Sequence, residues 1–233
     1  TPSVSVLSQP LHRKRNTDKC FSGPRTPASD FTSPVINGWS DKIPGSDVLK
    51  FDATKAKDLW KQADAISPWL ATDVFTIGYN SDGGHAAWVD AVTNSIKNTL
   101  GIDAQGKPYS TFKELRTDIT KRTIKGAFRT GWQADYPSLF NFLGPIYATN
   151  AGSNDGDYTN PAFDKLLKDG SAATSVDAAN KIFQQAQEIL FKDLPAIPLW
   201  YSNVTGGSSD TVTNVVVGRN SQKLYYQISK LKK

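Results

Sequence analysis

The sequence predicts an α/β fold, a layer of strands joined by crossover helices. Three observations carry that expectation. Val74-Phe-Thr-Ile-Gly-Tyr79 alternates with the two-residue period of a strand and runs into Asn80-Ser-Asp-Gly-Gly84, residues that tolerate positive φ in a turn. Trp88, Val89, Val92, Ile96 and Leu100 then recur at helical spacing and stop at Gly101. A short strand near Ile102, a helix over 111–120 and a strand over 126–132 complete the order strand, helix, strand, helix, strand across 74–132.

Ahead of this unit, residues 22–48 hold Pro24, Pro27, Pro34, Gly38, Pro44 and Gly45, a density that breaks helices and reads as an extended connection. Asp52 is placed to cap a helix over 52–63, with Ala56, Leu59, Trp60 and Ala63 on one face. After the unit, 135–160 carries Pro137, Pro145 and three Gly and reads as irregular. Pro161 suits the first position of a helix over 161–168. Ala179, Ile182, Phe183, Ala186, Ile189 and Leu190 give 176–192 one apolar side. Pro195 and Pro198 restrict 194–201 to an edge strand, and 212–217 and 224–228 are further strand candidates.

With 233 residues, 38% hydrophobic and 21% charged, the chain can bury a sizeable core and is too apolar for a disordered tail. Its apolar runs are a few residues long, too short for a helix to span a bilayer. A lone Cys20 can form neither an internal disulfide nor a Cys-based zinc site and is expected to be a buried or incidental thiol. The chain begins at Thr1 and contains no Met, as expected of a processed or excised product whose targeting segment is gone. A net charge of +5 suggests a polyanion partner, but its location argues otherwise. Residues 1–30 hold five basic and two acidic side chains, and 218–233 hold five basic and none acidic; 17 basic against 20 acidic remain between them. The body is slightly acidic, so no nucleic-acid partner is expected.

The chemical inventory is thin. His12 and His85 are isolated, and there is no Gly-x-Ser-x-Gly, no Gly-x-x-x-x-Gly-Lys-Ser/Thr and no Gly-x-Gly-x-x-Gly. Asn154-Asp-Gly-Asp157 lacks the spacing and terminal Glu of an EF-hand loop and reads as a plain turn. No catalytic residue, cofactor or metal is expected. The densest unusual segment is Gly131-Trp-Gln-Ala-Asp-Tyr-Pro137. Asp135 between Trp132 and Tyr136, just past a strand end, would offer a partly desolvated negative charge with aromatic walls, suited to an ammonium group. The residues alone leave open a second reading, in which Trp132 and Tyr136 are core and Asp135 caps the next helix.

An ordered series of motifs bears on that choice. Phe51-Asp-x-x-Lys-Ala-Lys-x-Leu59, Trp132-x-Ala-Asp-Tyr-Pro137, Ser153-Asn154, Tyr158-x-Asn-Pro-x-Phe-Asp164, Ala186-Gln187-x-Ile-Leu190 and Asp193-x-Pro-x-Ile-Pro198 together resemble the extracellular solute-binding proteins of peptide-type ABC importers, family 5. The series covers about 20–230, together with Ser33-Pro-Val-Ile-Asn-Gly38 and Leu100-Gly-Ile102. The resemblance implies a periplasmic-binding-protein-like fold of type II, in which two lobes close over an extended peptide. Against that family the chain looks like a C-terminal half. A segment over 1–30 belongs to the first lobe or hinge, the second lobe (a mixed sheet flanked by helices) covers 31–205, and 206–233 returns toward the first lobe.

The resemblance further implies a non-enzymatic, exported protein, extracellular or periplasmic. Its partners are a peptide ligand, the importer's permease, and a missing N-terminal half or a second copy, with membrane contact only through the importer. Asp135 matches the position whose carboxylate receives the peptide's α-amino group. Trp132 and Tyr136 line the same side, and Asn154 sits on a loop facing the ligand. The start departs from the family's Ala-x-x-Arg helix, because Gln9-Pro-Leu-His-Arg13 puts Pro10 inside it. Two other readings stand beside this one: a truncated or cleaved half acting as an interaction module without a transport role, and a nucleic-acid binder working through the basic ends.

Overall fold

The computed structural model describes residues 5–21, 25–203 and 209–213, together with the backbone of 229–230. The chain opens with α1 (Ser5–Ser8) and α2 (Arg13–Cys20), separated by a turn at Gln9–Pro10. Pro10 thus breaks the helix in two, as its missing N–H and ring require. Strand β1 (Arg25–Pro27) follows, then a long irregular segment closed by a single 3₁₀ turn at Ser46–Leu49. Helix α3 (Ala53–Ile66) starts where Asp52 accepts from the Lys55 N–H at 2.9 Å.

The α/β unit is β2 (Val74–Asn80), α4 (Ala86–Leu100), β3 (Asp103–Tyr109), α5 (Phe112–Thr120) and β4 (Ala127–Phe128). Gly101 ends α4 in the left-handed region, φ 74°, returning its N–H to the Lys97 carbonyl at 2.9 Å. Thr111 caps α5 through the Glu114 N–H. The three strands are parallel in the order β3-β2-β4, so β2 is central. Helix α4 covers the face of Ile77 and Tyr79, where Trp88, Val89, Val92 and Ile96 pack. Helix α5 covers the other face, where Gly78 lets the Leu115 and Ile124 side chains come close; a Cβ there would lie 3.0 Å from Ile124. The expected strand at 126–132 shrinks to two residues and one further bond, Arg129 N–H to the Gly78 carbonyl at 2.8 Å.

The expectation of an irregular 135–160 is overturned by α6 (Leu139–Tyr147), capped by Ser138. Gly144-Pro145 reads as a breaker, yet Leu139, Leu143 and Tyr147 are buried, and the helix ends two residues after the proline. Tertiary burial outweighs the lost backbone bond. Helix α7 (Pro161–Ser171) is capped by Asn160, and α8 (Val176–Asp193) by Ser175. Of the edge strand expected over 194–201, only β5 (Trp200–Ser202) forms, antiparallel to β1. Val212–Thr213 (β6) pairs with Ser229–Lys230 (β7); the rest of the 212–217 candidate and all of 224–228 lie outside the described residues.

Among the described residues, antiparallel pairing is confined to two small ribbons beside a parallel sheet. Two cores result. One joins the sheet and α4 to Leu11 and Trp200. The other packs α6, α7 and α8 beneath the irregular 31–49 segment, which contributes Phe31, Ile36, Ile43 and Leu49. Gly38, at φ +88°, is pressed against the Asn180 side chain, so a Cβ has no room there.

Residues 5–21 pack on α3 and α4 and place Val6 and Leu11 in the interior. Arg13 holds them. Its guanidinium is 7% exposed and donates to the carbonyls of Pro198 (2.8 Å), Ser8 (3.4 Å) and Leu49, and to the Ser8 hydroxyl at 2.9 Å. Arg13→Met is expected to take this donor from the Pro198 and Leu49 carbonyls and to cost about 3 kcal/mol of stability by urea denaturation, with Arg13→Lys recovering less than half because one ammonium cannot serve the same fork.

Candidate ligand site

The strand order places a switch point between β2 and β4: α4 leads from β2 to β3 on one side, and α5 leads back to β4 on the other. In open α/β sheets the crevice beyond the carboxyl ends of the strands at such a point is where ligands settle. Asn80 ends β2 there and is buried. Its amide N–H donates to Asp82 Oδ1 at 2.5 Å, and its Oδ1 accepts from Arg129 at 3.3 Å. Asp82 also accepts the Phe112 N–H at the start of α5, at 3.2 Å. These two bonds, Asn80's first, hold its carboxyl below the usual carboxylate range.

Arg129 stands one residue past β4, and its guanidinium lies over the Phe112 ring at 5.6 Å. Burial lowers its proton affinity, with Asp82 opposing the effect. His85 accepts from Trp88 Nε1 at 3.0 Å, and burial, then Arg129, depress its pKa. His12 lies elsewhere, stacked on Phe51 with ring centroids 3.4 Å apart. No group of three metal-ligating side chains forms among the described residues. Cys20 is half-buried, its Sγ 3.8 Å from the Ala87 carbonyl.

From Arg129 the chain continues to Trp132, Asp135 and Tyr136. Trp132 is half-buried, while Asp135 and Tyr136 are exposed. One acceptor organises this turn: Asn141 Oδ1 on α6 takes the Trp132 indole N–H at 3.2 Å and the Asp135 backbone N–H at 2.9 Å. Asn141 is itself buried. Asp135 does not cap the following helix; Ser138 does, which leaves the Asp135 carboxylate outward. Trp132 and the Asp135 backbone are therefore brought together at one acceptor, with Tyr136 following Asp135 in the chain and exposed. Asn141 was missed from sequence because a buried Asn inside a Pro-containing apolar stretch shows no periodic signal. Arg129 and Asn80 were missed because their importance depends on which strand ends lie side by side.

Asn154 stands apart from this group, with its side chain turned inward. Its amide donates to the carbonyls of Ala148 (3.0 Å) and Tyr158 (2.7 Å), and its Oδ1 accepts the Tyr158 N–H at 3.0 Å. The neighbouring acids pair with arginines: Asp155 with Arg116 at 2.5 Å and Asp157 with Arg122 at 2.6 Å. Two surface grooves, of about 490 and 430 Å³, lie between α3 and the end of α4 and share no residue with 129–141. The arrangement offers charge, aromatic surface and hydrogen bonds, which suits it to holding a small polar molecule.

Comparison with known proteins bears on the family and the fold. The chain is 25% identical to the oligopeptide-binding protein OppA of Bacillus subtilis over 91% of its own length and 39% of that protein's. It is 27% identical to the periplasmic murein peptide-binding protein MppA of Escherichia coli over 85% of its length and 36% of that protein's. In fold it matches the solved structure of the pheromone receptor PrgZ with a TM-score of 0.73 or better, namely 0.81, at 17% identity, over all of this chain and 45% of that one. The chain thus spans about two-fifths of the length of the curated relatives it matches. Residues 7–154, more than half the chain, match the family described as bacterial extracellular solute-binding proteins, family 5, middle. The chain belongs to the family 5 bacterial extracellular solute-binding proteins.

Proposed function

We propose that this chain is the C-terminal portion of a peptide-binding component of an ABC importer, non-enzymatic and working outside the cytoplasmic membrane. The second lobe, expected over 31–205, forms one wall of a cleft whose other wall belongs to a first lobe. On this reading Asp135 receives the α-amino group of the peptide. Trp132 and Tyr136 line the same wall, and Asn154 contributes by fixing the 148–158 loop. Arg129, beyond the same strand end, supplies the opposite charge needed by a zwitterionic ligand.

The observation that carries the proposal is the double acceptor role of Asn141. By holding the indole N–H of Trp132 and the backbone N–H of Asp135 at one oxygen, it anchors the turn that carries an exposed carboxylate and an aromatic side chain three residues apart. An ammonium group finds there a charge-assisted bond and a cation–π surface without rearrangement of the site. Hinge closure of two lobes would then desolvate the pair and strengthen it.

In the full-length protein, Asp135→Ala is expected to weaken a free-amine peptide about 30-fold in calorimetry, in line with the roughly 2 kcal/mol of a hydrogen bond to a charged group, while changing an N-acetylated peptide less than threefold. Equal losses for both peptides would remove the amine-anchor role. Asn141→Leu is expected to leave two buried-side donors unpaired, costing about 2 kcal/mol in urea denaturation of this chain and weakening the free-amine peptide about tenfold in the full-length protein.

A further inference from the structure

Asp30 lies three residues beyond β1 and is 1% exposed. One carboxylate oxygen accepts the Thr32 N–H. The other, Oδ2, has no hydrogen-bond partner, and neither do the Thr32 hydroxyl nor Gln187 Nε2, both buried. All three orphaned atoms belong to one small cluster. Gln187, wholly buried on α8, uses its Oε1 for the Phe31 N–H at 3.3 Å. Thr32, Gln187 and the Ser40 N–H approach Asp30 closely enough to favour its ionised form, yet the Gln187 and Thr32 side chains stop short of hydrogen-bond geometry.

The cluster adjoins β5 and the segment that leaves β1. Tyr201 on β5 donates its O–H to the Asp30 carbonyl at 3.2 Å, and accepts the Ser29 N–H at 3.3 Å and the Trp39 indole N–H at 3.4 Å. Groups facing Asp30 are therefore Tyr201 from β5, Thr32 and Ser40 from the irregular segment, and Gln187 from α8. The nearest cation along the chain, Arg25, bonds Ser202 and lies over Phe21. Among the described residues Asp30 forms no ion pair.

A buried carboxylate with an empty oxygen and no counter-ion is costly, and a proton relieves it. We propose that Asp30, Thr32 and Gln187 form a proton-operated latch at the root of the β1–β5 strand pair, closed by an Asp30 O–H bond to the Thr32 hydroxyl when the carboxyl is protonated and loosened when it ionises. Burial pushes the Asp30 carboxyl up to about 6. The folded chain then holds this proton more tightly than the unfolded chain, whose carboxyl titrates near about 4. The contribution to stability is complete below about pH 4 and is lost as the pH rises through about 6. Acid firms the strand pair and neutral pH relaxes it. On the two-lobe reading above, these strands lie where the chain passes toward the rest of the protein, and the latch makes that passage stiffer in acid.

The test uses this chain with ¹³C-labelled aspartate. The Asp30 carboxyl resonance is expected to titrate with a midpoint near pH 6, and a midpoint below about 4.5 overturns the latch. Amide exchange protection over 28–32 and 199–202 is expected to rise about tenfold from pH 7.5 to pH 5, the size that linkage gives for such a shift. In Asp30→Asn, whose side chain does not titrate, protection is expected to stay at the high level throughout; the same tenfold change surviving in that variant overturns the proposal. Should the variant fail to fold, the wild-type titration still decides. Neither readout involves peptide binding, so the latch and the amine anchor at Asp135 fail independently.

Discussion

The buried guanidinium of Arg13 is the constraint on which the arrangement depends. Among the described residues it has no carboxylate partner; burial lowers its pKa to about 10, and its charge is spread over neutral oxygens from three separate stretches of chain. Two of those oxygens, the carbonyls of Leu49 and Pro198, are backbone groups that this guanidinium supplies with a donor. One side chain thus joins the end of α1, the entrance to α3 and the segment leading into β5. The two hydrophobic cores meet along that line: Leu11 and Trp200 turn toward the sheet, and Leu49 toward the α6–α8 helices. Lys in its place would present one compact charge to a site shaped for a planar fork.

The candidate site inherits its geometry from this framework through close backbone approaches. Gly78 and Gly106 bring α5 and α4 onto opposite faces of the sheet, which fixes where β2 and β4 end. Asn80, Arg129 and the turn to Asp135 then follow from the strand order. Helix α6 supplies Asn141 from the other core, so Asp135 is positioned by both halves of the body at once. That dependence explains how an exposed carboxylate keeps a fixed place: its backbone is anchored even though its side chain meets solvent.

Much of the fold was legible because it rests on local signals. The helix over 86–100 with its Gly101 stop, the Asp52 cap and the Pro161 start each depend on residues within a turn of one another. Strand lengths were less legible. The strand at 126–132 was read too long and the one near Ile102 too short, because parallel pairing with β2 sets their limits and no local pattern records it. Helix α6 escaped because Gly144-Pro145 opposes a helix that only burial against α7 and α8 stabilises. At the site, Trp132, Asp135 and Tyr136 stood out by composition. Asn141 did not, since its importance lies in two contacts made across a fold. Asn154 stands out in the sequence, but its amide is spent inside its own loop.

The β1–β5 pairing brings Arg25 to Ser202, a sequence separation of 177. Closing a ring of that size is among the largest entropic steps available to this chain, and it precedes any reward from the contacts it makes. During synthesis the first helices and β1 emerge long before their partners exist, and Arg13 must wait for Pro198. The body is therefore assembled from the middle outward, with the ribbon and the N-terminal segment sealing it last. A ribosome that stopped short of β5 would release a chain with its sheet and helices formed but its seam open.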